Sequence, residues 1–236
     1  MTVVNRRVSP AAVVGRLLAD GFLLLQRWRH PRPIHPHGVA LEGTIRFLTG
    51  SAPTGLSCFD DPASAEMAVT ARTSRSLGVP APLPDVIGLA LRLDFPTGTG
   101  DVVFASTGFG VPSRFWLAVQ RSPSRARLTT LFPYRSARGP VLLAARTIDP
   151  EDLPTAPSDL AAALERTTWR LRLYSATPGG HWHPFAVVEL GRSADQDLDT
   201  PVRFDPMRNP LPGSNWYPWE RRLREPSYSK IQGRYS

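Results

Sequence analysis

Apolar and polar residues alternate along much of this chain with a period of two. Leu89, Leu91 and Leu93 are interleaved with Ala90 and Arg92, and Trp169, Leu171 and Leu173 with Arg170 and Arg172. Successive side chains of an extended strand point to opposite faces, so the pattern marks strands with one face in a core. Strands are predicted over residues 38–48, 66–73, 86–95, 101–107, 114–120, 127–134, 140–148, 168–176 and 184–190. Turn-forming runs rich in Gly and Pro separate them, at 96–100, 137–140 and 178–180. Strands joined by short turns pair antiparallel, and so many without intervening helices predict a closed or nearly closed barrel, since closure removes exposed edges.

Two stretches keep the helical period instead. Residues 9–29 carry Val13, Leu17, Leu18, Phe22 and Leu25 behind Ser9-Pro10, a suitable cap and first turn. Packing against the domain is the favoured reading. A membrane surface is the other, because Arg27, Trp28 and Arg29 follow, although Asp20 and Gly21 interrupt the apolar face. A second helix is expected over 158–166, started by Pro157-Ser158-Asp159. Residues 205–213 are rich in proline and read as irregular. Pro226 cannot sit inside a helix, so one begins there and carries Tyr228 in its first turn. The expected architecture is α+β, mainly antiparallel β, in one domain over 1–236: an N-terminal helix in 1–29, a barrel over 30–191, then an extended segment and C-terminal helix over 192–236. A chain of 236 residues is long enough for one such core.

The formal charge of +8 invites a polyanion as partner, yet Lys230 is the one lysine and the arginines are scattered among apolar strands. No nucleic-acid motif is present, and nucleic acid is not expected as a partner. Arginine also suits planar pairing with carboxylates, including those of a cofactor. Cys58 is alone, which rules out an intrachain disulfide and a cysteine-built metal site. A cytoplasmic location is the expectation. Arg16, Asp20 and Gln26 break the N-terminal apolar run, leaving no membrane span and no signal peptide. The oligomeric state is left open, a homo-oligomer included.

The stretch Arg32-Pro33-Ile34-His35-Pro36-His37-Gly38 concentrates the candidate chemistry. Prolines hold His35 stiffly at the start of the first strand, and Gly38 and Gly43 stand where a backbone comes close to something. His30, His35 and His37 offer imidazoles for a metal-dependent phosphoesterase, but no Asp or Glu nearby completes the cage.

This segment also resembles the distal-histidine segment of the haem catalases, in the spacing of Arg32, His35, Gly38 and Gly43. Further landmarks follow in the family's order: Arg72-Thr73-Ser74; Asp85 to Arg92; Asp101 to Thr107; Tyr134 to Leu143; Trp169 to Tyr174; Phe204-Asp205-Pro206; Pro212-Gly213; and Arg224-Glu225-Pro226-Ser227-Tyr228. The resemblance implies a catalase-like barrel binding haem b, with Tyr228 as axial ligand of the haem iron and Arg224 favouring its phenolate. Arg32 and Arg72, with Arg224, would neutralise carboxylates and phenolate. His35 would be the distal acid–base group, oriented by Ser74. Ser106 stands where the family carries a distal asparagine and would be its polar substitute. Glu42 and Thr44 replace residues that are usually aromatic or apolar, and Arg75 replaces a common threonine. The chain is shorter than regular catalases, which implies a more open haem face and favours peroxidase chemistry on hydrogen peroxide or organic hydroperoxides with a small-molecule electron donor. The alternative from another class is a non-catalytic barrel binding haem or a small apolar ligand, with haem itself lost in one version.

Overall fold

The computed structural model describes residues 38–196 and 198–219, all within one compact unit of the chain. The expected helices over 9–29 and from Pro226 onward lie outside the described residues, as do Arg32, His35, Arg224 and Tyr228.

Among the described residues nine strands form: β1 (Gly38–Phe47), β2 (Glu66–Arg75), β3 (Ile87–Phe95), β4 (Gly98–Ser106), β5 (Arg127–Thr129), β6 (Tyr134–Ser136), β7 (Gly139–Asp149), β8 (Trp169–Ala176) and β9 (His183–Arg192). Every pairing is antiparallel. The order runs β5-β4-β3-β2-β1-β9-β8-β7, and a β5–β7 pairing closes the ring. The result is an eight-stranded barrel, with β6 folded back on the start of β7 outside the ring.

The two periodicities come out as the chain pattern implies. Leu89, Leu91 and Leu93 point inward with Val39, Leu41, Ile45, Val102, Phe104, Leu171, Leu173, Val188 and Leu190. Trp169 is fully buried, and its indole N–H donates to Thr147 Oγ1 at 2.9 Å. Eight strands enclose just enough space for side chains to fill, so the interior is core and any sizeable ligand must lie against the wall.

Short helices α1 (Ser57–Asp60) and α2 (Pro157–Leu164) accompany the barrel. The latter buries Leu160, Ala161 and Leu164 and corresponds to the helix expected over 158–166.

Two strand expectations are corrected. Residues 114–120 do not form a strand: Ser113–Phe115 is a 3₁₀ turn, and Leu117 and Gln120 make only isolated bridges to Thr107 and Asp85. The turn takes precedence because Arg114, 3% exposed, reaches back to the carbonyls of Thr177 and Gly180 and lies 4.5 Å over the Trp182 ring. The run 127–134 splits into β5 and β6 because Leu131 adopts φ 60°, which no strand residue has.

Gly43 shows why the first strand needs its glycine. A Cβ there would overlap the carbonyl oxygen of Glu189 on β9, so the close approach of the two backbones excludes any side chain.

Beyond β9 the described residues 193–196 and 198–216 lie as a strap held on β1–β4 and, at Asn215, on Arg135 of β6. It has no regular structure over 205–213 but is heavily anchored. Leu211 and Trp216 are buried, and Gly100 leaves room for Leu211. The Trp216 ring packs 5.1 Å from that of Tyr134.

Candidate functional site

Strand register decides what shares a surface. Gly38 stands opposite Ser74, Ser74 opposite Gly88, and Gly88 opposite Ala105. In the next outward row, Ala40 stands opposite Arg72, Arg72 opposite Ala90, and Ala90 opposite Val103. Both rows face away from the core, since the intervening Val39, Leu89 and Phe104 point into it. These two rows of the outer wall are thus a floor of small side chains carrying one hydroxyl, Ser74, and one guanidinium, Arg72.

Arg72 is gripped by a carboxylate of the chain itself. Its Nε and Nη2 donate to Asp199 Oδ1 and Oδ2 at 2.6 and 2.7 Å, a two-pronged pair. The backbone N–H groups of Gly38 and Thr200 add donations at 2.9 and 2.8 Å. Burial pushes the Asp199 carboxyl upward, but the Arg72 guanidinium and these N–H groups outweigh it and hold it below the usual carboxylate range. Gly38 has a steric reason as well: a Cβ there would lie 2.6 Å from the Arg72 guanidinium carbon.

A second pair pins the strap farther along. Asp101, fully buried, accepts both Nε and Nη2 of Arg92 at 2.7 Å, the N–H of Asp205 at 2.7 Å and the Asn209 side chain at 2.9 Å. Glu42, unusual by the resemblance, accepts Ser193 Oγ at 2.9 Å where the strap leaves β9.

Ser106 does not join Ser74. It follows the alternation of Val102 and Phe104 and is fully buried. Its hydroxyl accepts the Ile87 N–H at 3.0 Å and donates to the Ala118 carbonyl at 2.6 Å. The residue in line with Ser74 is Ala105, a methyl group. Arg75 also turns away from Ser74's face, sitting 3.6 Å from Asp85 and donating to the carbonyls of Val79 and Leu83. Asp85 in turn accepts the N–H groups of Leu77, Val79 and Val86, so this pair organises the β2–β3 loop.

Asp199 is the participant that sequence reasoning missed. It sits in the acidic run Asp195-Gln196-Asp197-Leu198-Asp199, where nothing local separates it from its neighbours. Among the described residues no three His, Cys, Asp or Glu side chains cluster to hold a metal. A small cleft beside Ser74, about 10 Å³ and lined also by Gly38, Arg75, Ile87 and Leu160, has room for one water.

This arrangement can be weighed against the known proteins. No protein-family model matches the chain, and no curated protein does. Among solved structures, catalase A of Saccharomyces cerevisiae aligns with a TM-score of 0.66 at 12% identity, covering 99% of this chain and 66% of its own. The barrel is catalase-like. A second fungal catalase aligns at 0.59 with 13% identity, covering 92% of this chain and 62% of its own. The chain therefore spans slightly less than two thirds of these catalases' length, and at such identity the likeness concerns the fold.

The catalase-like fold raises the question of haem. A floor of Gly88, Ala90 and Ala105 lets a flat ring approach the backbone, whereas Arg72 and Asp199 lie over Gly38 and the strap covers Ala40; Arg72 has the charge for a carboxylate arm. The described residues suit a haem face in shape. In charge, Asp199 already takes two of the Arg72 nitrogens.

Proposed function

We propose that this chain is a haem-dependent, catalase-related peroxidase acting on hydrogen peroxide or organic hydroperoxides, with a small-molecule electron donor. The observation that carries the reading is the β1–β2 register. Gly38 lies opposite Ser74 on the small-residue floor, and His35 precedes Gly38 by three residues. Covalent reach limits the Cα atoms of His35 and Gly38 to about 11 Å of each other, which supports a meeting of the imidazole with Ser74 in this reading.

In this reading Ser74 fixes the tautomer of His35 through one ring nitrogen, and the other nitrogen carries the proton. His35 takes a proton from one peroxide oxygen and delivers it to the departing one, so that water or an alcohol leaves. Tyr228 would hold the haem iron, with Arg224 favouring its phenolate and Arg32 meeting a carboxylate. Haem, when bound, supplies the iron redox couple for cleavage of the O–O bond. Ser106 has no part, because its hydroxyl is on the other face.

The absorption spectrum of the purified full-length chain tests this. A Soret band that disappears in Tyr228→Phe, with peroxide-driven dye oxidation falling by about 100-fold or more in His35→Ala, is the expected result. A Soret band unaltered by Tyr228→Phe removes the ligand assignment.

The Arg72–Asp199 pair favours a second reading, a barrel without haem turnover. A carboxylate of the chain stands where the resemblance places one from the cofactor. A colourless protein that takes up no added haemin would decide for it.

A further inference from the structure

On the opposite side of the barrel the outer wall carries a different arrangement of arginines. Arg127 on β5 stands directly opposite Arg146 on β7, and Arg146 directly opposite Arg172 on β8. All three are exposed. They share the outer face, because Leu128, Ala145 and Leu173 beside them point into the core. With strands about 4.8 Å apart, the three positions span about 10 Å.

None of the three guanidinium groups makes a hydrogen bond or ion pair with any described residue. Like charges directly opposite one another on a sheet repel. The adjacent row shows the alternative: Arg170 is bracketed by Asp149 at 2.9 Å and Glu189 at 3.1 Å. The surface is not short of carboxylates; this row is simply without them. Arg146 is also braced, its guanidinium carbon lying 5.2 Å from the Phe109 ring centre.

We infer that this row is a docking surface for the anionic headgroups of a phospholipid membrane. It lies on the convex wall of a closed barrel, a shape that meets a flat layer of phosphates better than a strand that must be tracked in a groove. Two apolar neighbours share the face, Ile148, 37% exposed, two residues along β7, and Val187, next in the row after Arg172, and the carboxylates of the next row are held by Arg170. Stacking of nucleic-acid bases is disfavoured because the faces of Phe109 and Trp182 are already used. The two rings stack on each other at 5.0 Å, and Arg146 and Arg114 lie over them.

The test is co-sedimentation of the full-length chain with vesicles of phosphatidylcholine alone or with a third of phosphatidylglycerol. The expected result is binding to the acidic vesicles only. It weakens sharply between 0.1 M and 1 M salt, as the screening length falls from about 10 Å to about 3 Å. Replacing Arg127, Arg146 and Arg172 together by Gln lowers the partition coefficient about 10- to 100-fold, at roughly one order of magnitude or less per arginine. Replacing the exposed Arg121, Arg138 and Arg166 by Gln removes as many charges and lowers it less than about 3-fold. Thermal melts establish that both variants fold, and Arg172→Gln alone serves if the triple variant does not. Equal losses in the two triple variants overturn the inference, as does an absence of binding to acidic vesicles at 0.1 M salt. So does a short DNA duplex that binds through the row while acidic vesicles do not.

Discussion

The two sides of this barrel use the same residue in opposite ways. On the β1–β4 wall, Arg72 and Arg92 are half-buried and each is gripped through two nitrogens by an aspartate. Those pairs fasten the strap of residues 193–216 across the strands. On the β5–β8 wall, Arg127, Arg146 and Arg172 stand in one exposed row without a carboxylate. Guanidinium chemistry is identical in both places, so the partner within reach decides the role. Where the chain returns over the wall, aspartates arrive with it and arginine becomes a fastener. Where it does not return, the charge stays available.

The contrast can be broken most forcefully at Asp101. Asp101→Ala strips four donors of a fully buried acceptor and leaves Arg92 without its counter-charge, which costs about 3–5 kcal/mol. Urea unfolding measures this directly. Cys58 offers a second readout, since burial pushes its thiol up to about 12 and keeps it unreactive in the native protein. Its labelling by a thiol reagent should accelerate in Asp101→Ala. A loss below about 1 kcal/mol would mean that the strap does not depend on this pair.

Asp199→Asn should have a smaller effect, about 1–2 kcal/mol at pH 7, because both partners keep some contact with solvent. Its pH dependence has a defined sign. The folded Asp199 carboxyl lies below its unfolded value, so its stabilisation is complete above about pH 4 and is lost as pH falls through the folded value. The stability gap between wild type and Asp199→Asn should shrink between pH 7 and pH 3. A gap that stays constant would show that the carboxylate's charge is not what matters.

The smallest effect belongs to the open wall. Replacing Arg127, Arg146 and Arg172 by Gln should leave stability unchanged or raise it by a few tenths of a kcal/mol, because like-charge repulsion is relieved. Cys58 labelling should be unaltered. A loss above about 1 kcal/mol would mean that the row fastens something after all, and the two walls would no longer differ in kind.

Much of the barrel was legible because burial imposes its period on the chain. The alternations at 89–93 and 169–173 carry β3 and β8 directly. The segment 114–120 reads as a strand because Phe115 to Val119 form a short apolar run between turn signals, but a buried Arg114 seeking carbonyls two loops away leaves no mark in local sequence. The candidate site was legible as residue types and order. Arg72 and Ser74 do share a face, two positions apart on β2. Ser106 was expected there from the resemblance, but its place in the alternation with Val102 and Phe104 turns its hydroxyl to the other face.

That last point separates what each level of description can reach. Alternation along the chain determined by itself that this protein is built of antiparallel strands around an apolar interior, and glycines at 38 and 43 announced close backbone contacts. Only the tertiary structure decided that Ala105 and not Ser106 lines up with Ser74, that Asp199 closes on Arg72 from 127 positions away, and that three arginines fall side by side. The physical reason is that strand side chains repeat every two residues: a one-residue slip in register inverts every face, and register is set by pairing between strands far apart in the chain.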